Sequence, residues 1–266
     1  MPSLRKRFGQ HHLRQGDLCE PLIVFLAPRG RPVIEIGPGG GVLTGALLAA
    51  GASVIAIELD LAWAFELIRR MSDRRFDMVV GDALDFAWSR VPKGTLVAGN
   101  LPFGISTRLI DVVLGYPSRI PKAGFMVQKE VADRLLAQPG DKAYGALSVL
   151  TSARASVSFL GRVARGSFSP PPKVEGAFIG LETREPAVES VAWSKFAATV
   201  HLAFSQRRKQ LRNVLASRWG RGLTDRVLEQ ADVRARSRAE ELGLDDFIRL
   251  YRNLQDFEQA GLLPEC

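Results

Sequence analysis

The sequence predicts an α/β fold: a mostly parallel sheet covered by helices on both faces, followed by a small all-helical domain. Three observations carry that expectation. β-branched apolar runs alternate with helical segments through the first two thirds of the chain. A glycine-rich turn follows the first strong run, and no convincing strand remains after Pro186.

In chain order, residues 33–36 read as a short strand ending in the glycine turn, and 42–50 as a helix. Residues 53–57 form a second β-branched run ending at Glu58, with a helix over 61–70. A third strand at 76–80 closes on Gly81-Asp82, and a fourth at 96–98 closes on Gly99-Asn100. Residues 105–114 are helical, 123–127 a fifth strand, and 129–137 another helix. The stretches 157–163 and 177–181, separated by Pro170-Pro171-Pro172, suit hairpin-type strands that finish a mixed sheet. Beyond that, 193–218, 225–230, 239–242 and 245–254 suit helices. Phe196, Val200, Phe204, Leu211 and Leu215 follow helical spacing, which would set Arg208, Lys209 and Arg212 on one side of a single helix. The expected domains are therefore 1–185 and 186–266.

Lys and Arg number 36 against 28 Asp and Glu among 266 residues, a formal net charge of +8. No apolar run approaches the roughly 18 residues of a membrane span, and the basic start at Arg5, Lys6 and Arg7 has no apolar stretch behind it. Two cysteines, Cys19 and Cys266, make no disulfide framework or metal cluster, so reduced thiols and a cytoplasmic location are expected, with no metal and no membrane. The cations cluster: Arg5, Lys6, Arg7 and Arg14; Arg154, Arg162, Arg165 and Lys173; and Arg207, Arg208, Lys209 and Arg212. Each cluster alone suits a solvated face, but three together suit a polyanion such as nucleic acid.

Ligands of an open α/β sheet bind at the carboxyl ends of the strands. The turn Glu35-Ile36-Gly37-Pro38-Gly39-Gly40-Gly41 is an E-x-G-x-G-x-G pattern, not the G-x-G-x-x-G of dinucleotide binders, because Val42 stands where the last glycine belongs. Glu58 is placed to accept hydrogen bonds from two ribose hydroxyls, and Asp82 from an exocyclic amine. A tight turn with two surface carboxylates is the plainer reading. Asn100-Leu101-Pro102-Phe103 offers more. An adenine N6 amine is a poor nucleophile because its lone pair is delocalised. The Asn100 side-chain oxygen and the Leu101 carbonyl could hold its two hydrogens and favour the pyramidal nitrogen that attacks a sulfonium methyl. Pro102 fixes φ beside that carbonyl, and Phe103 could stack on the base, worth roughly 1–3 kcal/mol.

Together with these motifs, Lys6-Arg7-Phe8-Gly9-Gln10-His11, Ile105-Ser106-Thr107, Val127-Gln128-Lys129-Glu130-Val131-Ala132, Tyr144-Gly145-Ala146-Leu147-Ser148-Val149, Phe168-Ser169-Pro170-Pro171-Pro172-Lys173-Val174 and Gln206-Arg207-Arg208-Lys209-Gln210-Leu211-Arg212-Asn213 form an ordered set. The chain resembles the KsgA-type small-subunit rRNA adenine dimethyltransferases, within the wider rRNA adenine N6-methyltransferase family that includes the Erm enzymes. The resemblance implies a Rossmann-like class I methyltransferase domain with a seven-stranded sheet, and a helical rRNA-binding domain. It implies S-adenosylmethionine as methyl donor, held by His11, Leu13, Gly37, Gly39, Glu58, Leu59, Asp82, Ala83 and Asn100. Two adjacent adenosines in the 3′-terminal helix of small-subunit rRNA would each take two methyl groups, within a pre-ribosomal subunit late in assembly. Phe103 and Phe168 would sandwich the flipped base, with Arg207, Arg208, Lys209 and Arg212 on the RNA, and a monomer is expected.

Three positions depart from the family pattern: Phe103 stands for a usual Tyr, His12 for a common Phe and Gly176 for a common Ser. Phe168 also suits a place in the core. An Erm-like enzyme of large-subunit rRNA and an rRNA-binding factor without catalysis are the alternatives. The intact glycine turn, Glu58 and Asn100 speak against the second.

Overall fold

A computed structural model describes residues 11–189 and 192–262. Arg5, Lys6, Arg7, the segment through Gln10, and Cys266 lie outside the described residues. The chain divides into two compact units, one of residues 1–132 with 155–184, the other of 133–154 with 185–266. The second unit therefore takes in residues 133–154, which the sequence pattern places in the first domain.

The first unit begins with β1 (His12–Leu13) and α1 (Glu20–Leu26), then β2 (Pro32–Ile36), α2 (Val42–Ala49), β3 (Ser53–Glu58), α3 (Leu61–Arg70) and β4 (Phe76–Val80). It continues through β5 (Leu96–Asn100), α4 (Ser106–Leu114) and β6 (Lys122–Gln128), and the chain passes into the second unit within α5 (Lys129–Leu136). It returns for β7 (Ala155–Val163), β8 (Phe168–Ser169) and β9 (Gly176–Thr183). Seven strands form one sheet in the order β4-β3-β2-β5-β6-β9-β7. The five strands from β4 to β6 are parallel, and β9 runs antiparallel to both β6 and β7. Parallel strands covered on both faces need near-continuous apolar sequence, as in the buried Val33, Ile34 and Ile36 of β2. Asp60 caps α3 by accepting the Ala62 N–H at 2.9 Å, and the helix buries Trp63, Ala64 and Leu67.

Register decides where the site falls. Ile36 lies beside Ile57 on one side and Gly99 on the other, so Gly37, Glu58 and Asn100 emerge at one level of the sheet. The chain leaves β2 toward β3 on one side, whereas β5 lies on the other. That reversal opens a crevice at the strand ends.

The second unit holds α6 (Ala146–Ser152), α7 (Trp193–Phe204), α8 (Leu211–Trp219), α9 (Arg221–Gln230) and α10 (Leu244–Gln259) around a core that includes Phe196, Val200, Leu215, Phe247 and Tyr251. Tyr144 carries residues 133–154 into it by donating its buried hydroxyl to the Leu242 carbonyl at 2.8 Å. Arg154 is no member of an exposed basic cluster: it is buried, with its guanidinium stacked 3.3 Å from the Trp193 ring centroid. The single helix expected over 193–218 is two helices. Gln210 is extended ahead of α8, and the Leu211 N–H bonds the Ser237 carbonyl, which turns the chain between Phe204 and Leu211. The apolar stripe survives the break because both helices bury it in the same core.

Candidate active site

A cavity of about 540 Å³ opens at the strand ends of the first unit, a size suited to one small organic ligand. His11, Gly37, Gly39, Glu58, Leu59, Asp82, Ala83 and Asn100 through Phe103 all line it. Leu13 does not: it is buried in the apolar core and reaches only a much smaller neighbouring void. Pairing of β1 with β8, Leu13 opposite Phe168, draws that side chain into the core.

Two glycines permit the close approaches that shape the crevice. Gly39 has φ +49°, and a Cβ there would stand 2.7 Å from His12 Nε2. At Gly99 a Cβ would lie 2.8 Å from the Ile36 carbonyl oxygen, so only glycine lets β5 run this close to the end of β2.

Glu58 is buried, not a surface carboxylate. One of its oxygens accepts the Gly39 N–H at 3.2 Å and the other the Asp60 N–H at 2.9 Å, which pins the turn to the end of β3. Burial pushes its pKa upward, and those backbone N–H groups oppose the shift. Each oxygen keeps a lone pair for a further donor. Asp82 Oδ1 accepts the Leu84 N–H at 2.9 Å, and the residue lines the cavity. Beneath the turn, Glu35 is 1% exposed, and among the described residues its Oε2 has no hydrogen-bond partner. Burial drives its pKa up to about 8, helped by the nearby Glu58. His12 packs edge-on against Trp63 at 4.5 Å, and burial lowers its pKa.

Asn100 ends β5. Its Nδ2 donates to the His11 carbonyl at 2.7 Å. That bond orients the amide and, among the described residues, leaves Oδ1 free to accept. The Leu101 N–H is tied to the Met126 carbonyl at 3.1 Å, and among the described residues no backbone N–H bonds the Leu101 carbonyl. Two acceptors therefore stand in succession beside the half-exposed Phe103 ring, which the His11 ring faces at 5.6 Å.

Phe168 is not on the cavity wall. Its ring is completely buried in a core shared with Leu13, Met126, Val163 and Phe178, so it presents no face for stacking on a base. Its backbone carbonyl instead accepts Arg14 Nε at 3.1 Å, while His11 Nδ1 bonds the Pro170 carbonyl at 2.8 Å. Those contacts clamp the segment that supplies His11.

The basic segment of the second unit also divides. Arg207 Nη2 bonds the Lys142 and Tyr144 carbonyls at 2.7 and 3.1 Å, and Arg212 forms a two-pronged pair with Asp225 at 2.5 Å. Both are already committed within the unit. Arg208 and Lys209 are exposed, with no ion pair among the described residues. Arg14, expected in a basic cluster, instead bonds the Phe168 carbonyl, and nothing in the sequence singles out Arg108, which lines the cavity next to the Ile105-Ser106-Thr107 motif.

The sequence matches the ribosomal RNA adenine dimethylase family across residues 1–256. The chain belongs to that family. It is 38% identical to the ribosomal RNA small subunit methyltransferase A of Pseudomonas putida, covering 96% of this chain and 97% of the relative. A Synechococcus protein of the same name is 39% identical, covering 94% and 92%. Among solved structures, a dimethyladenosine transferase from Plasmodium falciparum superposes with a TM-score of 0.80 at 26% identity, covering 94% of this chain and 98% of the other. The 23S rRNA methyltransferase ErmE gives 0.70 at 27% identity, covering 91% and 99%. As a member of the adenine dimethylase family, the chain is an rRNA adenine dimethyltransferase with a Rossmann-like methyltransferase sheet.

Proposed function

We propose that this enzyme dimethylates N6 of two adjacent adenosines in the 3′-terminal helix of small-subunit rRNA, using S-adenosylmethionine, as a late step of subunit assembly. The choice of subunit rests on the small-subunit methyltransferases that match it over nearly their whole length. One observation carries the chemistry: the Asn100 amide is held by the His11 carbonyl with its oxygen left to accept.

The donor fits the residues present. Glu58, fixed by two backbone N–H groups, can accept both ribose hydroxyls, and Asp82 with the Ala83 backbone can read the donor's adenine edge. The glycine turn and His11, with Leu59, line the same cavity and would hold the rest of the donor. Bound there, S-adenosylmethionine supplies an electrophilic methyl on sulfur. Asn100 Oδ1 and the Leu101 carbonyl accept the two N6 hydrogens of the target adenosine, which favours the pyramidal nitrogen. Pro102 holds that carbonyl in place. Phe103 stacks on the extruded base, and loop adenosines cost least to extrude. Arg208 and Lys209 supply phosphate contacts from the helical unit.

Asn100→Ala tests this directly. Methyl transfer is expected to fall by at least about 100-fold, the scale of losing an oriented hydrogen-bonding group, while rRNA binding by filter retention stays near wild type. Turnover within a few fold of wild type would remove Asn100 from the mechanism.

A further inference from the structure

Among the described residues, the cavity wall carries one permanently cationic side chain, Arg108. It sits in the first turn of α4, whose Ser106, Leu109 and Ile110 are buried, so the helix turns its apolar face inward and leaves the guanidinium exposed. Among the described residues Arg108 makes no ion pair and no side-chain hydrogen bond. The cavity's two carboxylates already accept backbone N–H groups, Glu58 from Gly39 and Asp60, and Asp82 from Leu84. An unpaired arginine at the opening of a ligand cavity is a site for an anion.

Two anions would come near: a carboxylate on the methyl donor and the phosphates of the RNA. A base that enters the cavity leaves its sugar and phosphates at the mouth, where an exposed side chain five residues beyond Phe103 can reach them. A donor enclosed in the crevice would instead meet the glycine turn and the buried groups behind it. We propose that Arg108 binds a backbone phosphate beside the target adenosine, anchoring the nucleotide at the cavity mouth while its base is held by Asn100, Leu101 and Phe103. The inference rests on the proposed reading of this site as an RNA adenine pocket.

The test compares wild type, Arg108→Gln and Arg108→Lys on unmethylated small-subunit particles across a salt series. The Gln variant is expected to raise KM for the particles roughly 5-fold at moderate salt and to reduce the slope of log affinity against log salt by about 0.7 to 1. The Lys variant restores most of both, since an ammonium still serves as a point charge for phosphate. The dissociation constant for S-adenosylmethionine, measured by calorimetry, stays at the wild-type value in both variants, which also shows that they fold. Particle KM and slope unchanged in Arg108→Gln would overturn the proposal. So would weakened donor binding with particle KM unchanged, which would assign Arg108 to the donor carboxylate. If wild type leaves small-subunit particles unmethylated, the proposed target fails instead. The same comparison on whichever rRNA it does methylate then decides Arg108.

Discussion

At Glu35 the cost of burying a charge outweighs the acidity of the carboxyl, and the pKa rises from the ordinary 4.5 to about 8. A folded-state pKa above the unfolded one means that the native protein binds the extra proton. The resulting stability is complete below about pH 4.5 and is lost as the pH rises through about 8. Thermal denaturation of the donor-free protein should therefore show a melting temperature that falls by several degrees from mildly acidic to mildly alkaline buffer. Glu35→Gln, which keeps the shape without the charge, should flatten most of that fall; parallel curves for the two proteins would place the pH dependence elsewhere. Glu58 adds a contribution of the same sign, opposed by its two backbone donors. Asn100 illustrates a different residue-scale control, in which one bond from its Nδ2 to the His11 carbonyl selects which end of the amide is left to accept.

The turn between α7 and α8 decides which cations of this segment are left without an ion pair among the described residues. A continuous helix would have set Arg208, Lys209 and Arg212 side by side, but the break leaves Arg208 and Lys209 exposed and turns Arg212 onto Asp225. Replacing Arg208 and Lys209 together by Ala should lower the salt slope of rRNA binding by up to about two, whereas Arg212→Ala should leave it near wild type. A drop with Arg212→Ala as large as that of the double variant would contradict this division. The central strands β2, β5 and β6 were legible because parallel strands buried on both faces read as apolar runs. The strand ends then located Gly37, Glu58, Asp82 and Asn100 without further information. α1 was not legible, because seven largely apolar residues carry no readable period. Nor were β1 and β8, two residues each, which pair across more than 150 positions. The burial of Leu13 and Phe168 and the partners of Arg207 and Arg212 follow from tertiary neighbours that local sequence does not encode.

For the molecule as a whole, the net charge of +8 narrows to particular groups. Arg154, Arg207 and Arg212 serve the packing of the second unit. Arg162, Arg165, Lys173, Arg208 and Lys209 remain exposed, and Arg108 stands at the cavity. The helical unit is discontinuous in sequence, with residues 133–154 bonded into it by Tyr144 and by the Ala187 N–H on the Ala153 carbonyl. In the sequence, strand character is lost near residue 186. The inserted segment was hidden, because it lies between two stretches of the sheet. No described helix is long and apolar enough to cross a membrane, and the family match spans both units. We propose that this chain dimethylates small-subunit rRNA through the Asn100 site. The most direct measurement incubates unmethylated small-subunit particles with the protein and isotopically labelled S-adenosylmethionine, then maps the product by mass spectrometry. Two adjacent N6,N6-dimethyladenosines in the 3′-terminal helix, absent with Asn100→Ala, are the expected result. Label confined to large-subunit rRNA, or no labelled adenosine at all, would contradict it.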